Sequence, residues 1–168
     1  MPRRLAVILS GLALAAGLAV IPAGLADAAT GSPLTGTTTG SLTASRVTGA
    51  ATSSFAGSLS HLGAITGGDV ATFTVTGPAT FTYTGTDTIT AANGDELFST
   101  FTGSGHFTSA TTAQSTQVNT VTGGTGRFRG ATGSFTVTVS SVITSLSATS
   151  ETTENSDTYA GQLTYVAT

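Results

Sequence analysis

Apolar and aromatic residues recur at every second position through most of this chain, and no segment beyond residue 28 sustains a 3.6-residue period. Residues 70–76 place Phe73 and Val75 on one face. Residues 79–90 place Phe81 and Tyr83 on one face, with Thr80, Thr82 and Thr84 opposite. The same reading predicts strands over 41–47, 53–60, 96–102, 106–112, 114–122, 134–143 and 157–166. Turn chemistry separates them: Gly77-Pro78, Asn93-Gly94 with its φ > 0 positions, and Gly103-Ser104-Gly105. Many short strands at even spacing predict an all-β barrel or sandwich. Closure is favoured, because only 8% of residues are charged and an open sheet would have little to protect its edges from pairing with a neighbour. The expected fold is a closed antiparallel barrel of about eight strands with almost no helix beyond the N-terminal segment.

Threonine takes the place of the missing charge. Its branched Cβ favours extended backbone and its hydroxyl suits a wetted strand face. The first residues, Met1-Pro2-Arg3-Arg4, are basic, and the apolar run that follows ends at Pro22, with Ala26-Asp27-Ala28 offering small residues for cleavage. That pattern predicts a secretory signal over 1–28, and a secreted, extracellular or cell-wall-associated protein free of the membrane once it is cut. Residues 29–40, rich in Thr, Gly and Ser, read as a flexible leader, and 41–168 as a single domain. The chain has no cysteine, which excludes disulfides, thiolate metal sites and a cysteine nucleophile. Beyond residue 28 three arginines face seven acids, a balance that argues against nucleic acid as a partner. Arginine without any lysine fits a bacterial gene of high GC content.

Residues 123–133 gather glycines, an aromatic and two of the few cations into one turn: Gly123-Gly124-Thr125-Gly126-Arg127-Phe128-Arg129. Glycine permits the tight reversal, Phe128 can cap a barrel end, and Arg127 and Arg129 can pair with carboxylates such as Asp95 or Glu96, or face an anionic ligand. This turn resembles the Gly-Gly-Thr-Gly-Arg/Lys-Phe turn of plant dirigent proteins and of the wider allene oxide cyclase-like barrel superfamily. Ser60-His61-Leu62-Gly63, Asn93-Gly94-Asp95-Glu96-Leu97-Phe98 and Phe101-Thr102-Gly103 are similar to motifs in secreted bacterial proteins of that superfamily. The resemblance implies an eight-stranded antiparallel barrel with a central apolar cavity, used in dirigent proteins and allene oxide cyclases to hold a reactive intermediate and steer its closure or coupling. No motif aligns with that family's catalytic positions, so none of its residue roles is carried over.

The remaining chemistry is sparse. His61 and His106 are the only imidazoles, too far apart in sequence for a zinc pattern, and no calcium loop is present, so no metal and no cofactor is expected. No Gly-x-Ser-x-Gly elbow supports a serine hydrolase. Asp69, after Gly67-Gly68, reads as a turn residue, and Glu151, Glu154 and Asp157 as a solvated loop before the last strand. The Thr-x-Thr runs lack the fixed repeat that an ice-binding solenoid requires. His61, placed at a strand end where a barrel mouth would lie, joins Tyr83, Asp95, Glu96, Arg127 and Arg129 as candidate ligand-contacting residues. The leading expectation is a barrel that binds one small apolar or amphipathic molecule inside. Its alternatives are a cyclase or isomerase that uses His61, Tyr83 or a buried acid in the same cavity, and a structural or surface protein, oligomeric or not, whose barrel is filled by its own side chains.

Overall fold

The computed structural model describes residues 31–165. They form one closed barrel of eight antiparallel strands in which each strand pairs with its sequence neighbour and the last pairs with the first. The strands are β1 (Ser32–Ser45), β2 (Ala50–Leu59), β3 (Gly63–Val75), β4 (Thr80–Ala91), β5 (Glu96–Phe107), β6 (Thr112–Gly124), β7 (Thr132–Leu146) and β8 (Ser150–Thr164). The one helical piece among the described residues is a single 3₁₀ turn, Gly126–Phe128. The signal segment expected over 1–28 lies outside the described residues.

The barrel has two unlike halves. At one end Leu34, Leu59, Ile65, Ile89, Leu97, Phe135 and Leu163 fill the interior, and the 123–133 turn sets Phe128, fully buried, across the opening. Burial of such side chains stabilises by about 1.5–3 kcal/mol each, which makes this half the anchor of the fold. At the other end the loops around Arg46–Gly49, Thr76–Ala79, Thr108–Thr111 and Ser147–Thr149 surround a mouth. The outer surface is a ladder of hydroxyls: Thr74 pairs with Thr82, Thr82 with Ser104, Ser104 with Thr116, Thr116 with Thr138, and Thr138 with Thr158. Cross-strand threonine pairs of this kind hold a sheet together without charge.

The strands are longer than their hydrophobic patterns. Residues 32–40, expected as part of a flexible leader, belong to β1, whose Leu34 is fully buried and whose whole length pairs with β8. Gly103 and Gly105, expected to make a turn, lie inside β5, so the segments 96–102 and 106–112 are not separate strands. Their role is close approach. Gly105 stands opposite Phe81 and Gly103 opposite Tyr83, and ring atoms occupy the space a Cβ would take. Gly67 does the same beneath Phe55. Asp69 is therefore mid-strand in β3 and not in a turn. The acidic loop expected over 151–157 is strand as well: Thr153, Asn155, Asp157 and Tyr159 line the interior, while Glu154, Ser156 and Thr158 are exposed. An interior face made of polar residues leaves no hydrophobic alternation to detect.

Candidate functional site

The open half of the barrel encloses a cavity of about 530 Å³, within the range that holds one small ligand. One wall is aromatic. Phe73 on β3 stacks on Tyr83 of β4 with ring centroids 4.7 Å apart and planes 19° apart. Phe81 lies 5.8 Å from Phe73 and 5.4 Å from Phe107, and Phe101 meets Tyr83 edge-on at 6.0 Å. The sequence produces this wall directly, because β3 and β4 turn alternate residues inward and the β5 glycines leave depth for the rings. Tyr83 is tied down by its hydroxyl, which donates to Ser115 Oγ at 3.0 Å.

Three aspartates share the cavity's deeper part. Asp69 on β3 and Asp87 on β4 stand directly opposite each other in the β3–β4 register, and both face inward with Asp157 of β8. Each has one hydroxyl neighbour supplied by the adjacent strand. Ser53 Oγ donates to Asp69 Oδ2 at 2.5 Å, Ser99 Oγ lies 2.5 Å from Asp87 Oδ1, and Thr38 Oγ1 donates to Asp157 Oδ2 at 2.9 Å. Asp69 Oδ1 and Asp157 Oδ1 are buried without any hydrogen-bond partner. Among the described residues no cation pairs with these three acids; Arg46, at the mouth, donates from its guanidinium to the Ser147 carbonyl.

Such a place disfavours the charged form. Burial raises the Asp87 carboxyl to about 6, against the pull of the Ser99 hydrogen bond and with added repulsion from Asp69. Burial likewise raises Asp157 to about 6, with Asp69 again adding repulsion, and raises Asp69 itself. The hydroxyls of Tyr83 and Tyr159 are also pushed up, first by burial, so both stay neutral donors. The bonding around Asp87 has the same logic. Ser99 has one hydroxyl proton but lies near two acceptors, Asp87 Oδ1 and Asn119 Oδ1 at 3.1 Å, and the latter already accepts from Gln117 Nε2. A protonated Asp87 donates to Ser99, which donates on to Asn119. The ionised acid leaves that chain one proton short.

No protein-family model, curated protein or solved structure matches this chain. The assignment of a site therefore rests on its own geometry. Of the six candidate residues read from sequence, Tyr83 lines the cavity. The other five sit at the closed end. His61 is exposed in the turn between β2 and β3, with φ of 65°, so the mouth expected beside it is at the opposite end of the barrel. Asp95 ties two turns together: its Oδ2 accepts from the Arg127 backbone N–H at 3.2 Å and from Asn93 Nδ2 at 2.8 Å, and lies 3.9 Å from Arg127 Nε. The pairing of an arginine with Asp95 is thus present. The Arg127 guanidinium also covers the Phe128 ring at 4.7 Å, and residues 126–128 form a 3₁₀ turn. Glu96 opens β5, its backbone N–H donating to Thr125 Oγ1 at 2.8 Å.

Asp69, Asp87 and Asp157 are not among the residues that the sequence singles out, and the described residues bring no three His, Cys, Asp or Glu close enough to hold a metal ion. One signal was available. Asp87 interrupts the run Thr84-Gly85-Thr86-Asp87-Thr88-Ile89 at the inward parity set by Phe81 and Tyr83, and a lone acid on a core-facing parity is costly unless it is used.

Proposed function

We propose that this protein is a secreted barrel that takes one small amphipathic molecule into its open half, apolar body against the aromatic wall and polar end toward the aspartates. The observation that carries the reading is the enclosed aromatic cavity, open at one end and left unfilled by a fold that packs its other half completely. Exposed Val47, Val75 and Leu146 at the mouth give an apolar molecule an entry rim. An eight-stranded antiparallel barrel with an interior cavity, closed by the 123–133 turn, also supports placing the chain in the allene oxide cyclase/dirigent-like superfamily. Native mass spectrometry of the protein purified from its own culture medium tests the binding reading. A small molecule retained at near-stoichiometric occupancy is the expected result, and an empty barrel that gains no thermal stability from a panel of amphipathic compounds would overturn it.

A second reading is favoured by one observation, two aspartates, Asp87 and Asp157, that face the cavity and whose carboxyls burial raises to about 6. Acids poised near neutral pH suit proton transfer to or from a bound substrate, as a cofactor-independent isomerase or cyclase requires. Turnover of the molecule found bound, lost in Asp87→Asn, would establish it. Unchanged ligand after prolonged incubation leaves the carrier reading in place.

A further inference from the structure

Among the described residues the aspartates of the cavity have no partner of opposite charge, and the cavity's shape says what would supply one. Among the described residues seven titratable side chains face this space: Asp69, Tyr83, Asp87, Asp157 and Tyr159 in its depth, with Glu151 and Arg46 at the mouth. The tyrosines are neutral donors and Arg46 is exposed and bonded to the Ser147 carbonyl. The groups that carry charge in the deep part are therefore carboxyls alone. Asp87 is 6% exposed, and Asp69 Oδ1 and Asp157 Oδ1 are buried acceptor atoms with nothing donating to them. A fold that needed only packing would place alanine or valine there, as it does at Ala71 and Val137 on the same interior surface. Above the carboxyls lie the rings of Phe73, Phe81 and Tyr83, and aromatic rings attract cations. Acceptors without donors below, and aromatic rings beside them, are complementary to one end group.

We infer that the molecule bound in the open half is a cationic amphiphile, an aromatic or alkyl amine whose ammonium donates to Asp69 and Asp157 while its apolar body lies on the aromatic wall. The inference rests on the binding reading above and narrows it to one chemical class. The bound ammonium supplies the hydrogen bonds that Asp69 Oδ1 and Asp157 Oδ1 lack, and its charge relieves the repulsion between Asp69 and Asp87 across the β3–β4 register. A carboxylate ligand would meet the same acids as a like charge and be rejected.

Three probes that differ only in their end group test this: naphthylmethylamine, naphthylmethanol and naphthylacetate, titrated calorimetrically against the full secreted chain at pH 8 and at pH 4.5. At pH 8 the amine is expected to bind about ten-fold or more tightly than the alcohol, the gain of a charge-assisted hydrogen bond, with the acetate weakest. At pH 4.5, where Asp87 and Asp157 are protonated, the amine-to-alcohol ratio falls toward one. The ratio also collapses at pH 8 in the double variant Asp69→Asn/Asp157→Asn and is kept in Glu154→Gln, whose side chain is exposed on the outer face. The wild-type pH series tests the cationic assignment even if the double variant does not fold. Equal binding of amine and alcohol at pH 8 would overturn that assignment and leave the cavity reading standing. An amine preference that survives in the folded double variant would overturn the role of these carboxyls. Failure of all three probes to bind would count against the cavity reading itself.

Discussion

Asp87 pays for its position with its charge. A buried acid whose folded pKa lies near 6 against an ordinary 3.8 holds its proton in the folded state while the unfolded chain has already lost it. The folded form then binds more protons between those values, so stability is full below about pH 4, falls as pH rises through about 6, and levels off above. For this group the loss is about 2–3 kcal/mol. Thermal denaturation across pH 4–8 is expected to show a protein more stable in mild acid than at pH 8, and Asp87→Asn to raise stability at pH 8 by about 2 kcal/mol and flatten that slope. A flat wild-type profile would contradict the account. Gly103 poses the opposite test. Alanine there drives a methyl into the Tyr83 ring, and because that ring is stacked on Phe73 and bonded to Ser115, the expected cost is about 1–3 kcal/mol in chemical denaturation. These residues also mark how far sequence reading reaches. Gly103 and Gly105 read as turn formers because glycine in sequence announces backbone freedom and not the ring that lies over it. Asp69 follows two glycines and reads as part of a turn for the same reason. Phe73, Phe81 and Tyr83 were legible as one inward face, since their neighbours are threonines of opposite parity.

At the scale of elements, β1 and the 123–133 turn do unequal work for their apparent simplicity. β1 carries only Leu34 and Leu42 as large apolar residues, so its composition resembles a linker. Its place comes from closure: it supplies the strand between β2 and β8 without which both edges are bare. Deletion of residues 29–40 is therefore expected to abolish the cooperative unfolding transition in circular dichroism, whereas a true leader could be removed without effect. The glycine-rich turn was legible in outline, including Phe128 as a cap and an arginine paired with Asp95. The 3₁₀ geometry of Gly126–Phe128 was not, because the Asp95 carboxylate that accepts from the Arg127 backbone N–H reaches across from another turn. Phe128→Ala is expected to cost about 3–5 kcal/mol, the value for emptying a fully buried aromatic site, and to lower the urea midpoint accordingly.

The whole molecule divides along the barrel axis, and that division organises everything inside it. Hydrophobic alternation announces the aromatic wall and scarce charge argues for closure, so a closed antiparallel barrel of about eight strands was legible from the sequence alone. The polar part of the interior was not, because Ser53, Asp69, Ser99, Asn119 and Asp157 share their parity with core residues only once the register is known. Five of the six candidate residues fell at the closed end for a related reason: turn motifs are conspicuous in sequence, and both the His61 and the Asp95–Arg127 turns belong to the packed half. The central claim is that the open half is a chamber for a ligand and the closed half is not. Methyl-resolved NMR of the protein titrated with naphthylmethylamine tests it most directly. The account predicts saturable shifts at Leu42, Ala71, Val139 and Ile143, which line the cavity, with Leu34, Leu62 and Leu163 of the packed half unmoved. Shifts confined to the packed half or to the outer threonines, or none at saturating probe, would contradict it.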